Sequence, residues 1–227
     1  MNILKFSQFL EKNLKAKTIP PEYSYPDSIT LDTTIWKNIS NLKKFTDQYN
    51  YEHSLSLYFV DNELITTPPI KGTKSFVISK ESLKLEYSKI GTSKFPYFEK
   101  RIYLNGKVLF KKKLEQNQIP KDHRLNILFN IHTHPIQTDS NYSFFSIEDI
   151  SNFLSSQEIC IGLLTDEMFL LCRTNRTQKK LTSKSEEIIT DMNRQYIQEK
   201  NLPLEKLHEL DFILYIAQIN NPLKRIV

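Results

Sequence analysis

Residues 125–135 read LNILFNIHTHP. An apolar run of strand length, ending on two histidines one residue apart, predicts a buried β-strand. In extended backbone the side chains at i and i+2 point the same way, so His132 and His134 present two imidazoles together at the carboxyl end of that strand. Further on, residues 146–156 read SIEDISNFLSS, and their apolar spacing predicts a helix that opens on Ser146 and Asp149. A strand that ends in chemistry-bearing side chains and feeds a helix is the core step of a mixed α/β domain.

Upstream, residues 3–16 predict a short amphipathic helix through Ile3, Phe6, Phe9, Leu10 and Leu14. A connector with three prolines follows over 18–29, and a second helix is expected from Asp32 or Thr33 to about Gln48. The period then changes. Residues 54–60 (SLSLYFV) read as a strand, Asp61-Asn62 as a turn and 63–67 as its partner. Residues 74–80, 83–87, 100–104 and 107–110 continue the β-rich stretch, with Asn105-Gly106 as a type I′ hairpin signal. Downstream, 158–164 and 168–173 form a hairpin-like pair, and helices are expected over 186–199 and 204–219. The run FILYIA in the last of these is apolar all round, which predicts burial against the domain or a partner.

The totals frame this reading. A chain of 227 residues can bury one sizeable core with additions. Residues 71–113 hold 12 Lys/Arg against 3 Glu, an excess of +9 in a chain whose formal charge is +5. The basic residues alternate with apolar ones, so they are expected to line one exposed face of the β-rich segment. No nucleic-acid motif accompanies them, which disfavours nucleic acid as a partner. No apolar run approaches the length of a membrane span, and the first residues lack a secretory pattern. An intracellular, cytoplasmic protein is expected, with Cys160 and Cys172 reduced and buried on strands.

Two imidazoles and one carboxylate make an open zinc site, and Asp149, in the first turn of the helix, is placed to be that carboxylate. Asp139 in the intervening loop is a second candidate. Zinc lowers the pKa of its water to about 7 and polarises a carbonyl, and hydrolysis then needs a carboxylate to take and return a proton. The bland alternatives are two hydrogen-bonded surface histidines and a Ser-x-x-Asp capping box. Joined in this order after an apolar strand, the two features together argue against chance.

His132-x-His134-Pro135 followed by Ser146-x-x-Asp149 resembles the signature of the JAMM (MPN+) metalloproteases, a family that includes zinc-dependent deubiquitinases. The resemblance covers roughly residues 35–175. It implies an MPN fold, a curved mixed β-sheet flanked by helices, with residues 1–34 as a helix and connector and 176–227 as C-terminal helices. It implies His132, His134 and Asp149 as zinc ligands, Ser146 as the family's serine, and a glutamate at an early strand edge as general acid/base. Glu52 occupies that place, and Glu63 across the turn is the competitor. The implied activity is cleavage of peptide or isopeptide bonds in a protein substrate, such as the tail of a ubiquitin-like modifier. A non-catalytic scaffold, or a zinc hydrolase with another substrate, are the alternatives. The chain departs from the pattern in a longer loop, residues 135–145, and in Ser54-Leu55-Ser56 where the family has small residues and glycine.

Overall fold

The computed structural model describes residues 1–61, 63–72, 83–92, 95–119, 126–135, 144–199, 202 and 204–227. The elements run α1 (Ile3–Ala16), β1 (Ser28–Ile29), α2 (Thr33–Tyr49), β2 (His53–Val60), β3 (Glu63–Thr66), β4 (Ile70–Lys71), β5 (Leu83–Thr92), β6 (Phe95–Leu104) and β7 (Lys107–Leu114). They continue with β8 (Asn126–Thr133), α3 (Ile147–Ser155), β9 (Cys160–Leu164), β10 (Met168–Arg173), α4 (Ser183–Glu199), α5 (Leu204–Glu209), β11 (Phe212–Ala217) and β12 (Leu223–Arg225). The fold is mixed α/β.

One mixed sheet has the order β1-β12-β11-β10-β9-β8-β2-β3, with β4 also on β2. Among the described strands the one parallel pair is β8 with β9, and a parallel step needs a crossover, which α3 supplies. All eight positions of β2 are buried, as expected for a strand covered on both faces. On one face Leu55, Leu57, Phe129, Ile131, Cys160, Cys172 and Tyr215 pack with α1 and α2. On the other, Ile161, Leu163, Phe169, Leu171 and Leu214 pack with α3, α4 and α5. The cysteines are free and buried on adjacent strands, directly opposite each other in the β9–β10 ladder.

The strands β5-β6-β7 form a second sheet, which meets the first through Tyr58, Val60, Ile65 and Ile102. Asn105 and Gly106 both have positive φ, 49° and 79°, the geometry a type I′ turn demands between β6 and β7. The basic residues are not confined to one exposed face. Lys100 is 1% exposed and turned inward, where its Nζ lies 2.8 Å from Asp61 Oδ2 and 3.0 Å from Glu63 Oε2. Lys112 reaches Glu63 as well, while Arg101 and Lys111 bracket Glu99 and Lys84 pairs with Glu86. Glu86 and Glu99 are already counted in the excess of +9, so of these acids only Asp61 and Glu63, at the β2–β3 turn, lower it, and most of the positive charge stays unopposed by these pairs. Residues 74–80, expected as a strand, lie outside the described residues.

The helix expected over 204–219 is corrected by the structure. α5 stops at Glu209, Asp211 turns the chain at φ 55°, and Phe212–Ala217 is strand β11. A continuous apolar run cannot distinguish a buried helix from a strand covered on both faces, and the local turn at Asp211 decides it. β11 pairs with β10, and β12 with β11 and β1, so both ends of the chain are built into the sheet. Residues 1–34 and 176–227 thus contribute strands β1, β11 and β12 to the sheet beside the helices α1, α4 and α5 that pack on it.

Candidate metal centre

β8 ends at Thr133, with His132 on its last turn of the pleat and His134 just beyond. Ile131 pairs with Leu55 and faces α1 and α2, so His132, one residue on, faces α3. The two imidazole rings lie 5.1 Å apart between centroids.

The end of the long loop is fixed by its aromatic residues. Phe144 and Phe145 are fully buried and meet edge to face, with Phe145 also edge-on to His132. Asn193 of α4 donates from Nδ2 to the Phe145 carbonyl at 2.9 Å. Both phenylalanines fill the core edge, and the anchored backbone starts α3 beside the histidines. Tyr142 and Asp139 lie outside the described residues.

Ser146 caps α3 in the expected way. Its Oγ accepts from the Asp149 N–H at 3.0 Å, and its own N–H donates to Asp149 Oδ2 at 2.8 Å. The capping box and the metal-ligand geometry coexist. Asp149 Oδ1 lies 3.3 Å from His132 Nε2, and Oδ2 lies 3.4 Å from His134 Nε2. One ligand atom from each of His132, His134 and Asp149 falls within 4.8 Å of the others, a group that could hold a metal ion. Burial by itself would raise the Asp149 carboxyl, but His132 and His134 beside it hold it well below the usual carboxylate range.

Glu52 stands immediately before β2. Ser54 is the direct ladder partner of His132, and Glu52, two residues earlier, shares the site with the metal-ligand group. Burial pushes its carboxyl up to about 7, the charge on His134 opposes that rise, and Asp149 adds to it. Glu63, the alternative base, lies past the far end of β2 and is held by Lys100 and Lys112. The structure therefore brings together Glu52, His132, His134, Ser146 and Asp149, and leaves Glu63 apart.

Two polar atoms on directly opposed ladder positions are buried: Ser54 Oγ has no hydrogen-bond partner among the described residues, and His132 Nε2 faces Asp149 Oδ1 at 3.3 Å without a well-formed hydrogen bond. The next pair along the same face is satisfied, since Asn130 Nδ2 donates to Ser56 Oγ at 3.1 Å. A buried imidazole nitrogen facing a carboxylate and a second histidine fits the donor set of a divalent metal. Glu158 was not singled out by the sequence. Burial pushes its carboxyl up to about 7 against the pull of Arg173 and His132, so it is a second raised carboxyl near the group.

Compared with known proteins, the chain matches no family model, no curated protein and no solved structure. Among the described residues no helix is long and apolar enough to cross a membrane.

Proposed function

We propose that this chain is a zinc-dependent hydrolase of the JAMM (MPN+) type, cleaving peptide or isopeptide bonds in a protein substrate such as the tail of a ubiquitin-like modifier. The observation that carries the proposal is that one ligand atom from each of His132, His134 and Asp149 falls within 4.8 Å of the others, with the buried Glu52 close enough to sense two of the three.

In this reading His132, His134 and Asp149 hold zinc through two neutral imidazoles and one carboxylate. When bound, the metal supplies an activated water near neutral pH and polarises the scissile carbonyl. Glu52 takes a proton at its carboxylate and returns it to the leaving amine, work for which a carboxyl titrating near 7 is suited. Ser146 Oγ, fixed at the helix N-terminus by its bond from the Asp149 N–H, steadies the reacting oxygen. Phe144 and Phe145 keep water from the back of the site.

The test is zinc content measured together with cleavage. Purified protein should hold about one zinc per chain. It should also cleave a linked diubiquitin or a pool of quenched fluorescent peptides. Glu52→Gln should keep the zinc and lose cleavage, and His132→Ala should lose both. A wild-type chain that takes up no zinc from a buffered zinc solution removes the proposal and leaves the non-catalytic scaffold as the better account.

A further inference from the structure

Thr133, between the two histidines, turns its side chain away from the metal group. Its Oγ1 is instead the hub of a buried circuit. The His53 N–H donates to Thr133 Oγ1 at 3.0 Å, and Thr133 Oγ1 donates to the His53 carbonyl at 3.2 Å. Thr46, in the last turn of α2, lies 2.5 Å from Thr133 Oγ1 and 3.2 Å from His53 Nδ1. His53 Nδ1 also lies 2.9 Å from the Tyr51 carbonyl.

The proton positions follow from what each atom can do. The Tyr51 carbonyl only accepts, so His53 Nδ1 carries a proton. Thr133 has one hydroxyl hydrogen, committed to the His53 carbonyl, so Thr46 is the donor between the two threonines. Thr46 Oγ1 then accepts from His53 Nδ1. The one hydrogen on His53 Nδ1 is shared between the Tyr51 carbonyl at 2.9 Å and Thr46 Oγ1 at 3.2 Å, and with that bifurcated bond the circuit closes. Thr46, His53 and Thr133 are 2%, 4% and 1% exposed, so water does not compete for these bonds.

The residue enclosed by the circuit is Glu52. The Tyr51 carbonyl on one side, and the His53 N–H and carbonyl on the other, are held by it. The Glu52 carbonyl itself accepts from the Gly72 N–H at 2.8 Å. The ladder between β2 and β8 ends at Ser54 and His132, so beyond that pair the threonine hydroxyl takes over the work of joining the strands.

We propose that Thr133, acting through Thr46 and His53, is a positioning residue that sets Glu52 relative to His132 and His134. This rests on the hydrolase reading for its catalytic meaning, though the clamp itself can be measured without activity. Thr133→Val keeps the branched shape and loses the hydroxyl, and Thr133→Ser restores it. In the full chain, His53 amide exchange should speed up at least tenfold in Thr133→Val and return close to wild type in Thr133→Ser. With zinc bound and a quenched peptide as probe, kcat should fall at least tenfold in Thr133→Val with KM within twofold, again restored by Ser. Thr46→Val, on α2 and so not itself part of a strand ladder, should move both readouts in the same direction by at least threefold. A Thr133→Val chain whose His53 exchange and kcat stay within twofold of wild type overturns the proposal. A wild-type chain without zinc or cleavage sinks the hydrolase reading instead, and the exchange comparison then decides the clamp alone: unchanged exchange refutes it.

Discussion

His132 Nε2 and Asp149 Oδ1 lie 3.3 Å apart, one at the end of a strand and the other in the first turn of the helix that follows. Asp149 does two jobs, closing the cap with Ser146 and facing both imidazoles. Asp149→Asn separates them, because an amide still accepts from the Ser146 N–H but carries no charge. Zinc affinity should fall by more than about 100-fold, beyond the 10–100-fold typical of residues that merely orient a ligand. The folded chain should lose no more than about 1 kcal/mol through the altered cap. Competition against a chromogenic chelator and a urea titration read the two effects; undiminished affinity would exclude Asp149 as a ligand.

Glu52 gives the zinc-free chain a characteristic pH dependence. Its carboxyl titrates near 4.5 when unfolded and near 7 when folded. Between those values the folded chain keeps a proton that the unfolded chain has released. The stabilising contribution is therefore complete below pH 4.5, declines through pH 7 and is absent above it. Glu52→Gln cannot titrate, so it should gain on wild type as pH rises from 5 to 8, by about 1–2 kcal/mol once residual screening is allowed for. Urea midpoints at the two pH values measure this. Parallel shifts in both proteins would show that Glu52 is not held in a raised state.

Lys100 should matter for stability and not for the metal group. Its ammonium, 1% exposed, meets Asp61, Glu63 and the Val60 carbonyl, and lies over the Phe110 ring. Lys100→Met leaves two carboxylates facing each other at the β2–β3 turn. Both retain some solvent access, so the loss should be about 2–3 kcal/mol, below the 3–5 kcal/mol of a fully buried pair. Zinc stoichiometry should stay at the wild-type value. A loss of zinc together with stability would mean that the second sheet also supports the site.

Short-range patterns were readable where local chemistry dictates them. Asn105-Gly106 announces its turn, Ser146-x-x-Asp149 announces its cap, and alternation places His132 and His134 on one side. What was not readable depends on partners far away in sequence. FILYIA becomes a strand because β10 and β12 lie beside it, and no periodicity within the run records that. Lys100 and Lys112 look unopposed in sequence because their acids, Asp61 and Glu63, lie in another hairpin. Thr133 reads as a spacer between histidines, and its role emerges only when the fold brings Thr46 and His53 to it.

Gly162 tests how tightly β8, which carries His132, is held from its parallel neighbour. It pairs with Ile131, one residue before His132, and an added Cβ would stand 2.9 Å from Ile131 Cγ1 and 2.9 Å from Met168 Cε. The Met168 methyl sits at the end of a flexible chain and can swing aside. Ile131 is branched at Cβ and packed in the core, so it must carry the remaining displacement along β8. Gly162→Ala should therefore cost about 1–3 kcal/mol by overpacking. It should also weaken zinc binding, since the displaced residue adjoins His132, a ligand in the proposed site. Ile131→Ala opens the space that the new methyl needs, so the two changes should be less damaging together than their sum, with a coupling above about 0.5 kcal/mol. A double-mutant cycle by urea denaturation measures that coupling directly. Strict additivity would place the strain elsewhere than at the β8–β9 step and would remove the link between Gly162 and the position of His132.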